Sequence, residues 1–277
     1  MQDRLEIRIH GDASRPILIY LPGLHGDWTL VSSFRAAVAG KARFVEFTYP
    51  PTVDWTLDDY AEAIRASLLE HGITRGWLLG ESFGSQIVWP FVANCSPDFT
   101  VEGIVLAGGF ARHPVNWGVH LAQAMSTRWP RWFVQAALSA YGKYATFRHR
   151  HAPETLASIE KFIQRRLEPS DRLAIAHRLK LIAQSDPRPI ARQTGQPVLA
   201  LIGLVDPIVP ALPVWLWFRR NCPGYRGARL IWNADHNVLG TAPQKSVAQI
   251  LKWIEDAGMP TASRGSAIQA HRRQPRG

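Results

Sequence analysis

The sequence predicts an α/β fold: a mostly parallel central sheet flanked by helices on both faces and interrupted by an all-helical insertion. Two observations carry this expectation. Short, near-continuous apolar runs such as PILIYL (16–21) and VLALIG (198–203) alternate with segments of helical spacing, as strands do when crossover helices bury both their faces. The alternation stops near Gly109 and resumes after Pro197, with no convincing strand between. A chain of 277 residues with 46% hydrophobic side chains can hold one such α/β unit and its insertion.

Residues 5–10 alternate polar and apolar side chains like a strand, and Gly11-Asp12 turn the chain. The run 16–21 ends in the glycine-rich loop Pro22-Gly23-Leu24-His25-Gly26-Asp27. A strand follows at 42–47, closed by Tyr49-Pro50-Pro51. From Thr56 or Leu57 to His71, Leu57, Tyr60, Ile64 and Leu68 fall at helical spacing. Asp58 and Asp59 suit the positive end of that helix, and Gly72 stops it. Next come a strand at 77–79, a helix at 83–93 and a strand at 101–107. Helices are expected in the insertion at 119–125, 131–144, 153–167 and 170–183. After it, a strand at 198–202, a helix at 211–220, a strand at 228–232 and a helix at 245–257 complete the order. The implied domains are a core of residues 1–110 and 193–259, a helical insertion at 111–192 and a disordered basic tail at 260–277.

Charge is unevenly placed. The net +10 divides into −5 for residues 1–110, +9 for 111–192 and +6 for 193–277, of which +4 lies in the tail. Basicity belongs to the insertion and the tail, and no nucleic-acid-binding motif accompanies it, so nucleic acid is not an expected partner. An acidic partner, an anionic membrane surface, or a solvated basic face with no partner remain open for the insertion. No run of about 18 apolar residues suggests a membrane span. The N-terminal residues lack the apolar block and small-residue cleavage site of a secretory signal. Cys95 and Cys222 have neither disulfide-framework nor metal-ligand spacing. A cytoplasmic protein with free thiols is the resulting expectation.

Chemistry enters at Gly80-Glu81-Ser82-Phe83-Gly84, a G-x-S-x-G pattern set between an apolar strand and an apolar helix. That context is what a nucleophile elbow requires: glycines let strand and helix close tightly, and the serine hydroxyl is presented at the sheet's carboxyl edge. The Phe83 N–H, at the helix start, is aimed where an oxyanion would form. A serine hydroxyl needs a base, and the base an orienting carboxylate. Asp206 follows the strand ending at Gly203, and His236 follows the strand ending near Trp232, so Ser82, Asp206 and His236 all lie beyond strand ends of one edge. Asp206-Pro207 also fits a simple Asx turn. Asp235 competes as the acid, although neighbouring side chains point apart. Glu81 fits a structural role better than acid–base work.

The second oxyanion donor belongs in the loop after 16–21, with Leu24 the leading candidate and His25 behind it; a loop-shaping hydrogen bond suits His25 better. Trp28 fits either the pocket or the core. In the insertion, Trp117, Trp129, Trp132, Phe133, Tyr141 and Tyr144 fit either an acyl or aromatic pocket or ordinary packing.

Together these residues resemble the α/β-hydrolase superfamily. The resemblance covers residues 5–110 and 197–257, is specific at LPGLHGD, GESFG, LVDPIVP and ADHNVL, and sets the helical insertion where that superfamily carries its cap. It implies the α/β-hydrolase fold, with one strand fewer than the family's eight. It further implies acyl transfer through a covalent acyl-enzyme: His236 takes the Ser82 proton, Asp206 orients the ring, and the N–H groups of Phe83 and Leu24 bind the oxyanion. Neither metal nor organic cofactor is needed. A serine nucleophile speaks against the dehalogenase and epoxide-hydrolase chemistry of relatives that use aspartate. Carboxylic-ester hydrolysis is therefore expected, with acyl thioester or carbon–carbon bond hydrolysis as the enzymatic alternative. A non-catalytic ligand-binding member of the fold, or a basic membrane-associated protein, are the alternatives of other classes.

Overall fold

The computed structural model describes residues 4–95, 97–126 and 130–258. Strands β1 (Glu6–His10), β2 (Ile17–Leu21), β3 (Arg43–Thr48), β4 (Arg75–Glu81), β5 (Thr100–Ala107), β6 (Val198–Gly203) and β7 (Tyr225–Ile231) form one sheet in the order β1-β3-β2-β4-β5-β6-β7. Only the β1–β3 pairing is antiparallel; every other pair is parallel. All seven expected strands form. Strand β4 is longer than the expected 77–79, running from Arg75 through Gly76 and Gly80 to Glu81.

The apolar runs exist because both faces of the sheet are covered. Successive residues of β2 serve opposite cores. Leu18 and Tyr20 pack with Phe34 of α1 (Ser32–Val38) and Ile250 of α12 (Pro243–Gly258). Ile19 and Leu21 pack with Leu68 of α2 (Leu57–Glu70) and Ile87 of α3 (Gly84–Ala93). Helix α2 opens on the capping box of Thr56 and Asp59, which satisfies backbone N–H groups in both directions. Helix α1 is absent from the sequence expectation, since two turns are too short for a periodic signal.

Between β5 and β6 the described chain is wholly helical: α4 (Asn116–Ser126), α5 (Arg131–Arg148), α6 (Pro153–Leu156), α7 (Ile159–Leu167), α8 (Pro169–Gln184) and α9 (Arg188–Ala191). The helix expected at 153–167 is broken in two. Its first turn docks on α1, where the Ser33 hydroxyl donates to Glu154 at 2.8 Å and accepts the Thr155 N–H at 3.0 Å. The remaining helices are α10 (Ala211–Asn221) and α11 (Val238–Thr241). Among the described residues no helix is long and apolar enough to cross a membrane. The tail at 260–277 lies outside the described residues.

Candidate active site

Ser82 stands between β4 and α3 with φ of +48°, a left-handed conformation that non-glycine residues rarely adopt. The turn is possible because its flanks carry no side chain. A Cβ on Gly84 would run into the carbonyl oxygen of Leu21, and one on Gly80 would lie 2.8 Å from Val88. Helix α3 begins at Gly84, one residue later than its sequence spacing suggests, which leaves Phe83 as N-cap.

His236 bridges the other two predicted residues. Its Nε2 lies 2.8 Å from Ser82 Oγ and its Nδ1 lies 2.8 Å from Asp206 Oδ2. An ionised carboxylate only accepts, so Nδ1 carries the ring proton and Nε2 is left to accept the Ser82 O–H. Burial pushes the Asp206 carboxyl up, but the His236 hydrogen bond and charge, with the N–H groups of Val209 and Ile208, hold it below the ordinary range. Those N–H groups donate to Oδ1 at 3.0 and 2.8 Å. Asp206 is thus both an Asx turn and the histidine's partner. The two loops cross where only glycine fits: a Cβ on Gly203 would collide with the Asp235 carbonyl oxygen.

Neighbouring carboxylates are engaged elsewhere. Asp235 accepts from the Tyr144 hydroxyl at 2.9 Å and from Arg148 Nε at 3.1 Å, both on α5. Glu81 is buried and accepts from the Tyr20 hydroxyl and the Gly23 N–H; burial raises its pKa despite those bonds. It ties the β2 loop to the serine turn.

That loop runs beside Ser82, since a Cβ on Gly23 would sit 3.4 Å from Ser82 Cβ. Two buried arginines of the insertion hold it. Arg178 of α8, 1% exposed, donates to the carbonyls of Leu24 and Pro50, each at 3.1 Å. Arg166 of α7, 4% exposed, donates to the His25 carbonyl and the Asp27 carboxylate. Burial opposes ionisation of Asp27, and the arginine charge with the Thr29 N–H keeps its pKa low nonetheless. Burial also drives the His25 imidazole down to about 4, so it is neutral at pH 7. Sequence reading missed both arginines; the one local hint is an otherwise unexplained Asp27 in a glycine-rich loop.

A cavity of about 740 Å³ opens on Ser82 and His236. Its wall is mostly apolar, with Leu24 from the core loop, Val119 and Leu138 from α4 and α5, Phe162 from α7 and Ile175 from α8. Of the tryptophans considered for this wall, the three described ones, Trp28, Trp117 and Trp132, are not in it. Trp28 packs on the α1 side of the sheet with the Arg8 guanidinium 3.9 Å from its ring centre. Trp117 and Trp132 are 72% and 69% exposed, because the inward faces of their helices are filled by smaller neighbours. Trp129 lies outside the described residues. Among the described residues no cluster of three or more His, Cys, Asp or Glu side chains is placed to hold a metal.

No protein-family model matches the chain. A curated relative, 2-succinyl-6-hydroxy-2,4-cyclohexadiene-1-carboxylate synthase of Serratia proteamaculans, is 31% identical over 109 residues, which span 36% of this chain and 40% of the relative's length. Among solved structures, a thermophilic esterase from Thermogutta terrifontis superposes with a TM-score of 0.72 at 20% identity, covering 92% of this chain and 94% of that one. An esterase from Rhodococcus sp. ECU1013 gives 0.71 at 18% identity, covering 92% and 95%. A non-heme bromoperoxidase of Mycobacterium tuberculosis gives 0.65 at 17%, covering 94% and 98%. At these identities the likeness is one of fold. The chain has the α/β-hydrolase fold.

Proposed function

We propose that the protein is a serine hydrolase that cleaves carboxylic esters with an apolar acyl group. The observation that carries this reading is His236 set 2.8 Å from both Ser82 Oγ and Asp206 Oδ2. Ser82 attacks the ester carbonyl as His236 Nε2 takes its proton. Asp206 keeps the ring in the tautomer that leaves Nε2 free and stabilises the imidazolium. The N–H groups of Phe83 and Leu24 receive the oxyanion. His236 then protonates the departing alcohol and activates a water that releases the acid from Ser82. The helical segment 111–192 acts as the cap that closes the acyl pocket. The curated relative is a synthase, so support for ester cleavage comes from the site and its cavity rather than from that name.

The test is turnover of p-nitrophenyl esters from acetate to long acyl chains by the wild type and Ser82→Ala. The expected result is hydrolysis by the wild type alone, faster with chains longer than acetate. Equal rates for both proteins, or a folded wild type that neither turns over nor takes a fluorophosphonate label, overturn the reading.

A further inference from the structure

A surface on α4 and α5 plays no part in the catalysis proposed above. On α4, Trp117, Leu121 and Met125 recur every four residues, along one face of the helix, and all three are exposed. The same helix turns Val119 and Ala122 toward the cavity, so it is apolar on both sides. Helix α5 repeats the arrangement: Leu138 and Tyr141 line the cavity, while Trp132 and Phe147 are exposed. A row of large apolar side chains along an exposed helix face marks an interaction surface, unlike the scattered exposure usual on monomers.

Charge decides what covers it. From residue 103 to residue 153 the sequence contains no Asp or Glu; Arg112 and Arg148 are paired with Asp186 and Asp235, while Lys143 and Arg150 are exposed. A second copy of the chain would set two helices that contain no Asp or Glu, with Lys143 and Arg150 exposed beside them, against their like, which Coulomb repulsion opposes. An acidic protein would match the charge but gives no reason for a row of Trp, Leu, Met and Phe. Both features suit the headgroup level of an anionic bilayer, where Trp rings sit at the boundary and Lys and Arg meet lipid phosphates.

We infer that α4 and α5 dock the protein on an anionic membrane surface, with Trp117, Leu121, Met125, Trp132 and Phe147 entering the interface. Docking of this kind sets the cavity, walled by the other faces of the same helices, against the bilayer. The ester delivered is then one that partitions into lipid, a consequence that rests on the hydrolase reading.

Flotation with vesicles tests the docking by itself, using full-length Ser82→Ala protein so that hydrolysis plays no part. The expected result at about 0.15 M salt is binding to phosphatidylcholine vesicles containing about 30% phosphatidylglycerol and weaker binding to phosphatidylcholine alone. Replacing Leu121, Met125 and Phe147 together by serine should weaken binding by about tenfold or more. Lys143→Glu with Arg150→Glu should weaken it by about fivefold or more. In the Ser82 background the serine triple variant should keep the wild-type melting temperature and its turnover of a soluble butyrate ester. No flotation with phosphatidylglycerol overturns the inference, as does undiminished binding of the triple variant. So does binding that disappears when Arg264, Arg272, Arg273 and Arg276 of the tail are replaced by glutamine.

Discussion

Arg178→Met separates the arginine's two contributions, to the fold and to the site. Arg178 supplies hydrogen bonds to two buried backbone carbonyls, Leu24 and Pro50, at 3.1 Å each. Methionine fills similar space but donates nothing. Leaving two buried acceptors unsatisfied costs about 1–3 kcal/mol each, so a loss of about 4 kcal/mol is expected. For a chain of this size that lowers the melting temperature by about 10 °C. The catalytic effect is separate. If the clamp sets the Leu24 N–H for the oxyanion, its release costs about one donor, roughly 10²–10³ in kcat with little change in KM. Steady-state kinetics well below the variant's melting temperature read the second effect, and scanning calorimetry the first. Arg178→Lys, which keeps the charge but has a single donor nitrogen in place of the two that reach Leu24 and Pro50, should recover part of both. A variant that melts early yet keeps the wild-type kcat would refute the positioning argument. An unchanged melting temperature would refute the accounting of the carbonyls.

Two further predictions concern protons. Asp206→Asn should reduce kcat by about 10³–10⁴-fold with KM nearly constant, because an amide no longer fixes the Nδ1–H tautomer; a loss below tenfold in ester kinetics would transfer the role to another carboxylate. Stability should fall between pH 6.5 and 4. The unfolded His25 accepts a proton near 6.5 whereas the folded one resists until about 4. The unfolded chain therefore binds more protons across that window, and acidification favours it by up to about 3 kcal/mol. Burial shifts His113 and His149 in the same direction. Urea unfolding at pH 7.5 and 4.5 checks this, and His25→Asn should flatten the difference; an equal slope in that variant would remove His25 as the cause.

The sheet was legible because its strands are apolar runs bounded by glycine, proline and polar loops, and the candidate triad because each member follows such a run. What escaped had no local signature. Arg166 and Arg178 lie more than a hundred residues from the loop they hold, and a buried arginine in an amphipathic helix looks like any exposed one until its partner is known. From the sequence, Trp117 and Trp132 fit either the cavity wall or ordinary packing, and both are exposed instead. Helices α4 and α5 are apolar on two sides, so periodicity alone does not say which side faces the cavity. The sequence reads 153–167 as one helix because the docking of Glu154 and Thr155 onto Ser33, not any sequence break, bends the chain between α6 and α7.

The same long-range contacts bear on how this molecule can be recombined. The insertion meets the core on both sides of the serine: α7 and α8 hold the loop at 24–27, and α5 holds Asp235, the residue before His236. Asp27 is wholly buried and relies on Arg165 and Arg166 for its countercharge. A chimaera that exchanged residues 111–192 for those of another protein of this fold would inherit an orphaned carboxylate in its interior. Transplanting specificity by swapping insertions therefore requires moving Asp27, or supplying its arginines, along with the helices.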